Sequence, residues 1–277
     1  MQTFRRLLKH RMAVVGLVIV AAFLVIAAFA PQLSPRDPMR FSLANKLRPP
    51  SPSYPLGTDE LGRDLLSRIL HGTRVSLMMA VVSVSIGLVV GTPIGALSGF
   101  YGGAADLVTQ RLVDVLMAFP GILLAIVVVA VLGPGLWNAM LAVGISFVPT
   151  YVRVVRSSVL EIRTREYVEA ARAVGTGNLA IVRRHVLPNC LAPIIVLSTL
   201  QMASAILWAS GLGYLGLGAQ PPTPEWGTML GRAQDYVRLA WHYATFPGLA
   251  IALAVLGFNL VGDGLRDALD PRFGHRV

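Results

Sequence analysis

The sequence predicts an all-α, polytopic membrane protein with six transmembrane helices. The chain has 277 residues, of which 55% are hydrophobic and only 14% charged, and its mean hydropathy is +0.65. These values are far more apolar than those of a soluble domain. The apolar residues also gather into long runs separated by polar intervals. Runs of about 20 apolar residues can cross a bilayer as helices.

The first apolar run, from Met12 to Ala30, predicts a transmembrane helix. The basic residues before it favour a cytoplasmic N-terminus, because positive charges tend to stay inside. A secretory signal peptide is the alternative, since Ala28-Phe29-Ala30 has the form of a cleavage site. The run exceeds the usual signal core of about 7 to 15 residues. It therefore predicts an uncleaved first helix, preceded by Arg5, Arg6, Lys9 and Arg11.

Residues 31–74 differ in amino-acid composition from the apolar runs around them. They contain seven prolines, so we expect an extended external segment with little regular structure before Gly57. From Thr58 to Leu70, apolar residues recur at helical spacing, which predicts a short helix in the membrane interface. The segment also carries seven Lys or Arg, although long loops weaken the charge rule. This change in composition divides the chain into an N-terminal unit, residues 1–74, and a core transmembrane unit, residues 75–277.

Five further runs complete the six predicted spans. The third is broken at Phe119-Pro120-Gly121, and alternation of the spans places both termini in the cytoplasm. The predicted spans are Val75–Leu97, Leu112–Leu132, Trp137–Val155, Cys190–Gly211 and Phe246–Val261.

Glycines mark two places where we expect close packing or a pathway. Gly87, Gly91 and Gly95 recur every four residues in the second span, so they form a ridge that another helix can approach closely. Gly216 and Gly218 lie in the glycine- and proline-rich segment 211–227, which we expect to be irregular and to lie near a translocation path. The alternative is a plain loop whose backbone needs glycine.

The longest polar interval of the second half, residues 165–188, predicts two short helices joined at Gly175. In the first, an apolar stripe recurs at i, i+3, i+4 and i+7. In the second, Asn178 is the expected cap and Pro188 the expected end. Such a hairpin suits a docking surface on the cytoplasmic side. The stripe consists of Tyr167, Ala170, Ala171 and Val174.

The spacing in this interval resembles the EAA loop of bacterial ABC importer permeases. Glu169-Ala170-Ala171 is followed after three residues by Gly175 and later by Leu187-Pro188. Arg184-His185 before Leu187 is similar to the dipeptide, oligopeptide and nickel branch. The resemblance extends from about Pro55 to Phe273, although many relatives carry Glu where Ala209 stands.

This resemblance implies the type I ABC importer fold, in which the loop is the coupling helix that docks on an ATPase subunit. It implies a bacterial inner membrane location and a heterodimer with a homologous permease. Two ATPase subunits, which bind ATP and Mg, and an extracytoplasmic solute-binding protein would complete the importer. The coupling residues that it implies are Tyr167, Glu169, Ala170, Ala171, Arg172, Gly175, His185, Leu187 and Pro188.

Several chemistries find no support in the sequence. The only lysines, Lys9 and Lys46, do not follow a glycine, so no phosphate-binding loop is present and ATP must act at another subunit. The five histidines are far apart, and one cysteine, Cys190, cannot form a disulfide or a cysteine cluster. We therefore predict no cofactor, no metal and no enzymatic activity in this chain. The net charge of +10 is scattered between apolar runs, which favours lipid headgroups over nucleic acid.

The predicted function is thus the permease subunit of an ATP-driven importer of dipeptides or oligopeptides. The same machine importing nickel or a metal chelate is one alternative. An ion-coupled secondary transporter or a channel is another, but it predicts ionisable groups near the bilayer midplane and inverted repeats, which we do not find. Neighbouring genes for ATPases and a solute-binding lipoprotein would separate these classes.

Overall fold

The computed structural model describes residues 10–269 and is built from helices. The basic residues Arg5, Arg6 and Lys9 lie outside the described residues. In chain order the helices are α1 (Arg11–Leu33), α2 (Leu65–Tyr101), α3 (Gly103–Met117), α4 (Gly121–Leu132), α5 (Leu136–Ile162), α6 (Glu166–Ala173), α7 (Asn178–Ile181), α8 (Leu191–Tyr214), α9 (Trp226–Ala233) and α10 (Trp241–Leu269).

Within residues 10–269, five helical segments are long and apolar enough to cross a membrane: α1, α2, α5, α10, and the continuous path from α7 into α8. The pair α3 and α4 makes a sixth if it counts as one span, and it bends by 90°. The bend lies between Met117 and Gly121, where the sequence predicts a break, because Pro120 cannot donate a backbone hydrogen bond. The predicted all-α fold with six spans is confirmed on this count.

The centre of the bundle is the pair α2 and α5, against which α8 packs, while α10 packs mainly on α8 and α1. Large buried side chains, among them Phe147, Tyr151 and Met140, fill the space between these helices. Helix α1 lies at the edge and packs on α10 through Gly16 and Gly257. His10, at the start of α1, lies 3.7 Å from the Asp267 carboxylate, so the start of α1 meets the end of α10 at one end of the bundle.

No separate interfacial helix precedes the second span in the described part of the chain; that prediction was wrong. The residues assigned to it are partly a turn and partly the first turns of α2, which Asp64 caps by accepting a hydrogen bond from the Ser67 amide at 2.8 Å. Leu65 and Ile69 are the apolar face that we expected in lipid. They pack instead against Met229 of α9 and its neighbours, because this face finds a protein partner.

Residues 34–64, here called the cap segment, cover the outer ends of α2, α9 and α10. Their only regular element is a 3-10 turn, Leu43–Asn45, as the prolines predict. Hydrogen bonds from backbone amides nevertheless hold the segment in one shape. The Arg48 amide donates to Thr58 Oγ1 at 2.8 Å, and the Leu47 amide donates to the Asp59 carbonyl at 3.1 Å. The cap segment lies at the end of the bundle opposite residues 165–188.

Candidate functional site: the 165–188 loop and the glycine segments

The first half of the loop is helix α6, and Gly175 ends it. The Gly175 amide donates to the Arg172 carbonyl at 3.0 Å, and the Thr176 amide donates to the Ala171 carbonyl at 3.1 Å. This bond pair is a Schellman motif, which needs a left-handed residue after the helix. Gly175 has φ +82° and supplies that conformation. The glycine therefore sets the direction in which the chain leaves α6.

The second half of the loop differs from its prediction in two ways. Gly177, not Asn178, precedes α7, which has only four residues. Pro188 does not end the helical path, because it lies in the first turn of a 3-10 helix that leads directly into α8. Proline is tolerated in a first helical turn. A π-helical turn, Val182–Val186, joins α7 to this 3-10 helix.

The back of the loop is fixed to the ends of α2 and α5. Val168 of α6 is fully buried, as are apolar residues of the segment that follows α7. The guanidinium of Arg172 lies 5.8 Å from the ring centre of Phe100 in α2. These contacts make the loop a rigid extension of the bundle. The buried cluster comprises Ala96, Phe100, Val155, Val159, Ile162, Val168, Ile181, Val182, Val186, Cys190 and Ile194.

The front of the loop exposes apolar side chains. Tyr167 is 44% exposed, Val174 81% and Leu179 67%, and Ala170 is exposed between them. The stripe predicted from the sequence is therefore mainly the outward face of α6, and the buried anchor is Val168, which the prediction missed. Ala171 is half-buried against the back cluster. Glu169 is exposed at the edge of this front surface.

The remaining loop residues of the prediction lie in the link to α8. His185 is half-buried in the π-helical turn, and its carbonyl accepts a hydrogen bond from the Asn189 side-chain amide at 2.6 Å. Leu187 packs against the back cluster, and Pro188 is exposed. These residues connect the front surface to a span rather than forming part of its apolar face.

The glycine ridge of α2 lies directly against α5. A methyl group on Gly91 would meet Tyr151 Cβ at 2.5 Å, and one on Gly95 would meet the Val152 carbonyl oxygen at 2.5 Å. Gly87 faces Phe147 in the same way, at 2.8 Å. At these places only glycine lets the two helices approach so closely.

The second glycine segment turns the chain from α8 to α9. Gly216 has φ +76°, and Gly218 packs against the Gly213 backbone. The segment is shorter than predicted, because α8 continues to Tyr214 and α9 begins at Trp226. Helix α9 was missed, since its eight residues give only a weak periodic signal.

Glu225, in the same segment, is the most buried acidic group near the glycines. Its carboxylate accepts hydrogen bonds from the amides of Gly227 at 2.7 Å and Thr228 at 2.8 Å. The Ser76 hydroxyl of α2 adds a third bond at 3.3 Å. Glu225 thus caps α9 and joins it to α2. An acidic residue is favoured at the start of a helix because the helix dipole is positive there. A glutamate just before Trp226 is therefore the signal that could have found it.

Two ion pairs join α3 to α5. The sequence did not predict which residues would form them. Asp106 receives two bonds from the Arg156 guanidinium, both at 2.6 Å. Asp114 receives a bond from Arg153 at 2.5 Å. Among the residues that the structure describes, no group of three or more His, Cys, Asp or Glu side chains could hold a metal ion.

Two known families match this chain on either side of residues 51–90. Residues 91–275 match the family described as binding-protein-dependent transport system inner membrane component. Residues 1–50 match the N-terminal transmembrane domain of oligopeptide transport permease C.

Individual relatives agree with this assignment. The dipeptide transport system permease protein DppC of Alkalihalophilus pseudofirmus is 47% identical, over 98% of this chain and 89% of the relative. The di/tripeptide permease DppC of Pseudomonas aeruginosa is 49% identical, over 93% and 87%. The glutathione permease GsiD of Pectobacterium atrosepticum is 46% identical, over 97% and 90%.

Among solved structures, an inward-facing MetNI methionine ABC transporter contains a chain with the same fold. The TM-score is 0.60 at 22% identity, and the match covers 73% of this chain and 97% of the other. The match supports the fold of the core helices. From the family match and its relatives, the chain belongs to the family of binding-protein-dependent transport system inner membrane components, as a multi-span ABC importer permease of the DppC/OppC type.

Proposed function

We propose that this chain is one of two permease subunits of an ATP-driven importer of dipeptides or oligopeptides in the bacterial inner membrane. Permeases of this family are non-catalytic subunits, and here ATP and Mg bind at two partner ATPases. Relatives named for dipeptide, tripeptide and glutathione transport support a peptide substrate. Import of nickel or a metal chelate is the alternative, and uptake of labelled dipeptide against nickel by the assembled importer decides between them.

The observation that carries the proposal is the two-sided loop 165–188. Its back is fixed to α2 and α5 by Val168 and the buried cluster, and its front exposes Tyr167, Val174 and Leu179. A protruding apolar surface of this kind marks a protein contact site. A force applied at the front reaches the spans directly, because the loop runs into α5 on one side and α8 on the other. The described part of the chain contains one such loop, so a second permease serves the second ATPase.

This arrangement supports alternating access, in which closure of the two ATPases moves both loops and rocks the attached spans. The loop then lies in the cytoplasm, and so do the start of α1 and the end of α10, because Leu269 of α10 lines one cavity with Ala192 and Pro193 at the start of α8. The cap segment then faces the extracytoplasmic side, where a solute-binding protein delivers the substrate.

Reversing the charge of Glu169 tests the coupling surface. We expect Glu169→Lys to abolish peptide uptake, because a like charge placed opposite a basic group at an interface costs several kcal/mol, or about 100-fold in affinity. Copurification of the ATPase and uptake into proteoliposomes measure the effect. The control is Asp235→Lys, which makes the same charge change at an exposed residue between α9 and α10, outside the loop. Normal uptake by Glu169→Lys would rule out this surface.

Gly175 and Gly177 form a matched pair for testing the loop geometry. At both glycines, no neighbouring atom lies within 4 Å of the position that an added Cβ would take. Gly175 has a left-handed backbone, whereas Gly177 has φ −63°. We expect Gly175→Val to abolish uptake, since valine in this conformation costs at least about 1–2 kcal/mol and redirects the chain after α6. Gly177→Val should keep most of the activity, and equal activities of the two variants would contradict the role of Gly175.

A further inference from the structure

The seven basic residues of the predicted external segment fall into two groups in the structure. Arg63 and Arg68 are buried and pair with Asp59, at 2.6 Å and 3.3 Å. The other five side chains are more accessible. Within residues 10–269, none of these five forms an ion pair with a carboxylate. They are Arg36, Arg40, Lys46, Arg48 and Arg74.

The surface of the cap segment is therefore strongly basic. Of its four acidic residues, only Asp37 is exposed, while Asp59 and Asp64 are buried. The fourth, Glu60, has a side chain only 12% exposed. Phe41 is 69% exposed and Leu43 71%, and both lie between basic residues in the chain. An apolar centre with a charged rim is the usual anatomy of a protein interface.

The cap segment is also held rigidly to the helices beneath it. Glu60 accepts hydrogen bonds from Arg63 and from Arg232 of α9, both at 3.0 Å, and from the Tyr243 hydroxyl of α10. Burial alone would raise the pKa of Glu60, but these bonds and the charge of Arg63 lower it, so the carboxylate stays ionised. A preformed surface loses little conformational entropy when a partner binds.

The length of α2 indicates that this surface stands above the lipid. The helix carries no charged residue from Val75 to Tyr101, a stretch of about 40 Å that exceeds the hydrocarbon thickness of about 30 Å. The preceding turns, residues 65–74, add about 15 Å beyond it. The cap segment covers this outer end, which favours a protein partner over lipid headgroups.

We propose that the basic face of the cap segment, formed by the exposed side chains of Arg40, Phe41, Leu43, Lys46 and Arg48, is the docking surface for an acidic face of the solute-binding protein. The inference rests on the proposed function, since it needs the cap segment outside the cytoplasm. Glu60 ties the docked surface to α9 and α10, and α9 in turn packs on the end of α8 through Gly227 and Gly231. Docking thus acts directly on the segment between α8 and α9.

The test uses the complete importer in lipid nanodiscs and the solute-binding protein of the same gene cluster, loaded with a dipeptide. We expect the triple variant Arg40→Glu, Lys46→Glu, Arg48→Glu to weaken binding of this protein at least about tenfold at low salt, because like charges then oppose each other. The glutamine triple variant should give a smaller loss. Added salt should weaken binding to the wild type more steeply than binding to the glutamine variant. Basal ATPase activity and thermal stability should remain unchanged.

Reversing acidic residues on the binding protein should restore its affinity for the glutamate variant. Unchanged affinity of both triple variants would overturn the proposal. The lipid alternative would be supported instead if the variants changed only the attachment of the permease to vesicles, in proportion to their phosphatidylglycerol content. If the wild-type permease did not change the ATPase activity of its partner subunits, the proposed function itself would be refuted, and the inference with it.

Discussion

Gly91→Leu is expected to prevent stable assembly of the α2–α5 core. Even a methyl group at this position would meet Tyr151 Cβ at 2.5 Å and the Val148 carbonyl oxygen at 2.9 Å. The carbonyl is backbone of a buried helix and cannot rotate away, so the two helices must separate. Overpacking of a core costs about 1–3 kcal/mol and sometimes more. Here further stability is lost along the ridge, because Gly87 and Gly95 lose their close contacts when the helices separate.

The measurement is the yield of monodisperse protein in detergent, followed by its thermal unfolding. Gly248→Leu is the matched control: Gly248 lies in α10, another span, and an added Cβ there meets no atom within 4 Å. We expect the Gly91 variant to be lost or to unfold well below the wild type, and the Gly248 variant to behave normally. If the Gly91 variant unfolded at the wild-type temperature, α2 and α5 could not pack as closely as described.

Asp59→Asn is expected to release the cap segment from the bundle. Asp59 is fully buried and faces two arginines, Arg63 and Arg68, whose side chains are each 4% exposed. Arg63 keeps its bond to Glu60, but Arg68 pairs only with Asp59 among the residues that the structure describes. Breaking a buried ion pair by removing one partner costs about 3–5 kcal/mol, because the charge of Arg68 then stays buried and unpaired. An asparagine keeps the shape of the side chain but supplies no charge, so the loss is electrostatic.

Limited proteolysis of residues 34–64 and thermal unfolding measure this change. Asp37→Asn is the control, because Asp37 is exposed in the same segment and its carboxylate accepts a hydrogen bond from the Met39 amide at 2.8 Å, with no arginine paired to it in the described residues. We expect rapid cleavage of the Asp59 variant and wild-type resistance in the Asp37 variant. Equal resistance of the two variants would show that the arginines are satisfied without Asp59.

Local patterns predicted the spans and the bend of the third span. Hydrophobic length marks a helix that crosses a bilayer, and proline interrupts backbone hydrogen bonding wherever it stands in a helix interior. The spacing of Gly87, Gly91 and Gly95 likewise indicated a packing ridge. It did not indicate the partner helix, because α5 is more than forty residues away in the chain and many arrangements of six spans share one pattern of runs.

In the loop 165–188, too, the sequence predicted the local structure but not what the structure packs against. Its apolar stripe was visible in the sequence, but a stripe of period 3.6 does not say whether the bundle or an absent partner covers it. The structure shows that Val168 faces the bundle and that Tyr167 and Val174 face outward. Asn178 and Pro188 were misjudged because both residues are equally suited to neighbouring helical positions.

The sequence by itself determined that this is a six-span membrane permease with a polar loop before the fifth span, since length, hydropathy and motif spacing are local properties. The tertiary structure alone decided where the charges of residues 31–74 go. Arg63 and Arg68 are drawn inward by Asp59, and the Glu60 bonds come from Arg232 and Tyr243, residues more than 170 positions away. Such pairings depend on which helices become neighbours, and burial then makes each of them strong.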